Sequence, residues 1–206
     1  LSGMGSFLFM GLIGVIIAIF VGISLVNKDT ERRKIYTIMA RPISRASFIM
    51  GKYLGLALTL FVNMAIMWAV FLLTLWLYHV SIQPSIFQAV ALIFVEILVV
   101  TAIALFFSTF TSTTLSAIFT LGLYVIGHLT ADLRAMVANS DSGPIKSLVD
   151  LLYYLCPDLE MLNIKGQAAV GVVAAPEYVM LASLYGVMYA GVLLISACVV
   201  FQQRDF

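Results

Sequence analysis

Seven of the chain's eleven Lys and Arg residues (Lys28, Arg32, Arg33, Lys34, Arg41, Arg45 and Lys52) fall in one short island between two long uncharged hydrophobic runs. Lys and Arg resist translocation, so such an island is expected to stay on the cytoplasmic side and orient the helices beside it. The other placement of note is Glu96, a single acid near the middle of an apolar run. An acid at membrane depth must face protein or water. Two uses stay open for it, a structural hydrogen bond to another helix or a functional role. Motifs for other chemistry are missing: the chain contains no G-x-x-x-x-G-K-[ST], HExxH, CxxC or nucleophile elbow. Asp158 and Glu160 have no paired His or metal-ligand spacing, and His79 reads as an interfacial side chain.

The island has internal order. Asn27, Asp29 and Thr30 are candidate N-caps, and Ile35, Ile38 and Met39 recur at i, i+3 and i+4 among polar neighbours. This pattern predicts a short amphipathic helix over about 29–41. Pro42 disfavours the α region for Arg41 and so ends the helix; Ser44 can then cap a second helix running through Gly51 and Lys52 into the next apolar run. The exposed stripe of the first helix must be covered by a partner or rest on lipid.

The apolar runs that flank and follow the island place the chain in a lipid bilayer. With 63% hydrophobic and 10% charged residues among 206, against about 25% charged in soluble chains, it reads as an all-α polytopic membrane bundle forming one domain over 1–206. Spans are predicted at about 4–26, 53–78, 86–107, 115–131 and 178–201, each near or above the roughly 20 residues that a crossing needs. In the third, fifteen Leu, Ile, Val or Phe residues outweigh Glu96, which costs about 3 kcal/mol at a helix centre. Ser108 to Ser116, with seven Ser or Thr in nine residues, reads as a tight inner turn. The stretch 132–177 holds six acids against Arg134, Lys146 and Lys165; it is predicted to be external and to dip into the outer membrane face. Cys156 and Cys198 then lie on opposite sides and cannot bridge. Since the first span must begin outside, the reading expects a further span before Leu1, making five here of six.

Arg41-Pro42-Ile43-Ser44-Arg45, followed by Gly51-Lys52-Tyr53-Leu54-Gly55, resembles the coupling-helix region of ABC transporter permeases of the ABC-2 type. Lys34-Ile35 stands where Gly-Thr is usual. Leu152 to Asn163 is similar to the segment before that family's last helix, and Arg204-Asp205-Phe206 resembles its ending. The resemblance implies an ABC-2 exporter transmembrane fold with an external re-entrant helical region. It also implies a permease in a bacterial plasma (inner) membrane, moving a substrate, in the export direction, with energy from a separate ATP-binding cassette subunit. That ATPase would dock on Glu31, Arg32, Arg33, Ile35, Ile38, Met39, Arg41, Pro42 and Arg45. A second permease subunit, identical or related, would complete the unit; ATP and Mg would sit on the partner, with no cofactor, metal, catalytic group or nucleic-acid site in this chain. Glu96 is then either structural or part of the transport path. A non-transporting anchor or signal transmitter coupled to an ATPase is the alternative function.

Overall fold

The structure, a computed structural model, describes residues 45–79, 83–138 and 156–202, without the side chains of residues 45, 113, 130–138 and 169. The predicted span 4–26 and the amphipathic helix 29–41 lie outside these residues. Five α-helices follow in order: α1 Arg45–Leu77, α2 Pro84–Ser108, α3 Thr113–Ala138, the short α4 Lys165–Ala169, and α5 Pro176–Gln202, with a 3-10 turn at Glu160–Leu162 before α4. Among the described residues no strand occurs. Helices α1, α2 and α5 are long and apolar enough to cross a membrane, while α3 carries a shorter apolar stretch, Thr114–Leu129. The helix α3 continues past Ala131, where the sequence reading ends its span, to Ala138.

Helix α2 is the centre. Of its apolar window 61% is buried, against 17% in α1 and 22% in α5, so the outer helices turn much of their apolar surface away from the described bundle. Helix α2 carries branched residues on all sides, with Leu92, Ile93, Val99, Val100 and Ile103 at 0–1% exposure. Pro84 starts it at a position where the missing N–H costs nothing. On α5, Ala182, Gly186 and Ala190 repeat every four residues and are buried. A Cβ on Gly186 would stand 2.4 Å from Val95 Cγ1, so the small-residue stripe sets how closely α5 approaches α2. Helix α1 touches α2 as well, where the Tyr53 phenol donates to the Leu98 carbonyl at 3.3 Å.

The hydroxyl-rich turn between α2 and α3 ends α2. Its last carbonyls have no intrahelical partner, and Ser108, Thr109 and Thr111 hydroxyls donate to Leu105, Phe106 and Phe107 carbonyls at 2.7–2.8 Å. Ser116 then ties α3 back to α2 through the Ala104 carbonyl at 3.2 Å.

Candidate functional site

Residues 156–175 form a largely non-helical segment inserted among α2, α3 and α5. In a bilayer such backbone survives only where protein satisfies its polar groups, and here all three helices supply partners. From α2, the Gln88 side chain both donates to the Ala174 carbonyl and accepts from the Ala174 N–H, each at 3.0 Å. From α3, the Gly127 carbonyl accepts from Leu159 N–H at 3.1 Å. A Cβ at Gly127 would meet the Pro157 carbonyl oxygen at 2.8 Å, so only glycine allows this approach without displacement. From α5, Tyr185 Oη accepts from Asp158 N–H at 2.9 Å and Tyr178 Oη donates to the Met161 carbonyl at 2.8 Å. Gly171, at φ 77°, makes the turn that leads back to α5.

At the deep end of this segment, Lys165 is 6% exposed and donates from Nζ to Glu96 Oε2 at 2.9 Å. Glu96 lies twelve residues into α2, about 18 Å along its axis at 1.5 Å per residue, so the segment anchors deep along the helix. The carboxylate is fully buried. Its other oxygen, Oε1, lies 3.4 Å from His128 Nε2 on α3. The second ring nitrogen, Nδ1, is 3.1 Å from the Tyr124 carbonyl oxygen one helical turn earlier. One carboxylate therefore stands between an ammonium from the inserted segment and an imidazole from a neighbouring helix. An ion cluster of this kind ties three chain segments at one point, and it can hold or release a proton. Among the described residues no group of three His, Cys, Asp or Glu side chains is arranged to hold a metal ion.

Of the residues singled out in the sequence, Glu96 is in this cluster. Glu31, Arg32, Arg33, Ile35, Ile38, Met39, Arg41 and Pro42 lie outside the described residues, and Arg45 opens α1. Asp158 and Glu160 are engaged locally: Asp158 Oδ1 accepts from Met161 N–H at 3.4 Å and Glu160 accepts from Asn163 Nδ2 at 3.1 Å. His79 is exposed in a left-handed conformation after α1, with Trp76 and Tyr78 exposed beside it. Cys156 and Cys198 are both free thiols.

The sequence profile of the ABC-2 family of transporter proteins matches residues 3–206. The chain belongs to that family. It is therefore a multi-pass membrane permease component of an ABC transporter. Such permeases are not themselves ATPases, and the transporter system includes an ATPase partner. Comparison with curated proteins finds no match.

Sequence reasoning passed over two members of the cluster. In the sequence Lys165 is only one charge of the stretch 132–177, since nothing local shows that residue 165 returns to the level of residue 96. His128 had a usable signal: it is the one Asp, Glu, Lys, Arg or His within the apolar stretch 115–131. An ionisable group there asks for a partner.

Proposed function

We propose that this ABC-2 permease exports its substrate across a bacterial plasma membrane with energy from a separate ATPase subunit docked on residues 29–45, and that two permease subunits make the working unit. The family match over 3–206 is the observation that carries the reading. The concentration of seven basic residues between Lys28 and Lys52 supports a cytoplasmic loop there. Ile35, Ile38 and Met39 supply an apolar stripe for docking, Glu31, Arg32, Arg33, Arg41 and Arg45 a charged rim, and Pro42 an elbow leading to the next helix. ATP and Mg belong to the partner in this scheme. The paired arrangement follows from the small enclosure that a single set of five or six spans can provide.

The test compares wild type with the double variant Ile38→Asp, Met39→Asp in complexes purified with the cognate ATPase and in inside-out vesicles. Burying each of these apolar side chains on docking contributes about 1.5–3 kcal/mol, which the Asp substitutions remove, so the ATPase is expected to dissociate or its hydrolysis to uncouple while the permease still inserts. Normal assembly and hydrolysis in the double variant would refute the docking assignment. ATP hydrolysis by the wild-type complex with no ATP-dependent flux of any amphipathic cargo would instead support the anchor reading.

A further inference from the structure

The contact between Glu96 Oε1 and His128 Nε2 contains a contradiction that one proton removes. A backbone carbonyl oxygen only accepts, so the 3.1 Å contact between His128 Nδ1 and the Tyr124 carbonyl requires the hydrogen to be on Nδ1. In a neutral imidazole the lone pair is then on Nε2, and Nε2 faces Glu96 Oε1 at 3.4 Å. Two acceptors would abut. Both atoms are buried, and neither meets a hydrogen-bond partner of good geometry among the described residues. Leaving such groups unmet inside a protein is costly. No water fits on the line between them, since each bond to it would need about 2.8 Å. A metal ion there would meet the Lys165 ammonium, which is on the other oxygen of the same carboxylate.

We propose that Glu96 and His128 form a proton-binding site inside the permease, with the proton on Nε2 donated to Oε1. Lys165 keeps the carboxylate anionic through Oε2, which places the proton on the imidazole. The remaining groups facing the site are the Tyr124 phenol on α3, which lies within hydrogen-bonding reach of the Glu96 carboxylate and also interacts with Glu160 of the 3-10 turn, and Lys165 from the inserted segment. Occupied, the site has one carboxylate from α2 gripping an imidazolium from α3 and an ammonium from the inserted segment. Empty, the neutral ring has one hydrogen for two acceptors, Glu96 Oε1 and the Tyr124 carbonyl, so one of the two contacts sets lone pair against lone pair and the charge attraction between α2 and α3 is lost. The proton is thus a ligand that latches α3 and the segment 156–175 to α2. Of the two partners His128 is the more accessible, its side chain 19% exposed while Glu96 is 0%.

The chain has two histidines, His79 and His128, so nitrogen NMR of the full chain in phospholipid nanodiscs reads His128 alone in a His79→Gln background. At pH 7 both ring nitrogens are expected to carry hydrogen. In Glu96→Gln the ring is expected to become the neutral Nδ1–H form, because the glutamine amide then donates to Nε2. A ring nitrogen without hydrogen in the wild-type protein at pH 7, Nε2 or Nδ1, would overturn the proton site. The latch is tested by hydrogen exchange of amides 157–169 in the wild type and in His128→Gln, whose amide donates to Oε1 without titrating. The ratio of the two rates cancels the chemical effect of pH. It should rise severalfold at the pH where NMR shows loss of Nε2–H; a flat ratio would overturn the latch.

Discussion

Removing the Lys165 ammonium tests how strongly the inserted segment depends on Glu96. Two unit charges at 2.9 Å attract by roughly 6 kcal/mol at an effective dielectric of about 20, but most of that offsets the cost of taking both groups out of water. What truncation reveals is the penalty of the carboxylate left behind. Lys165→Met keeps the side-chain length and apolar bulk, so the lost stability, up to about 3–5 kcal/mol, reports a carboxylate left with His128 as its remaining partner and not a cavity. The double variant Glu96→Gln, Lys165→Met removes the under-compensated carboxylate as well and should recover to within about 1 kcal/mol of wild type, because replacing both partners of a buried pair is often neutral. Reversible unfolding in mixed detergent micelles measures each arm of the cycle. A double variant as unstable as the two single losses added together would refute the reasoning, since it would mean that the residues contribute independently.

Gly186→Val places a branched side chain where a Cβ already stands 2.4 Å from Val95; overpacking of this kind should cost about 1–3 kcal/mol in the same unfolding assay. Cys156 is buried, and burial pushes its thiol up from the ordinary range, so less of it is thiolate at neutral pH. Its alkylation by N-ethylmaleimide at pH 7.5 should therefore be slower than that of an exposed cysteine. Gly127→Ala forces the Pro157 carbonyl, now 2.8 Å from the added atom, to move, and faster Cys156 alkylation in that variant would report the displacement. For sidedness, a cysteine at Ser142 should react with an impermeant reagent in intact cells and one at Thr37 should not; the reverse pattern would overturn the proposed orientation.

The all-helical membrane class was legible in the sequence because a bilayer leaves few choices. Long uncharged runs must span it as helices, and residues such as those of 86–107 carry that information locally. Family membership was equally legible, in Arg41-Pro42-Ile43-Ser44-Arg45 and the Gly51-Lys52 that follows. Glu96 could be singled out for the same local reason, as a charge in the wrong solvent. Its partners could not. Helix α2 does not show in its sequence that it is the hub, because lipid and protein interior select the same Leu, Ile and Val; the closeness of α5 at Gly186 and of the inserted segment at Gln88 and Glu96 decides it. Lys165 is separated from Glu96 by 69 residues and His128 by 32, and all three are brought together only because the inserted segment runs deep along α2 with its backbone met by Gln88, Gly127, Tyr178 and Tyr185. A charge needs a partner for reasons of solvation alone, whereas which partner it finds depends on the path of the chain through the bundle.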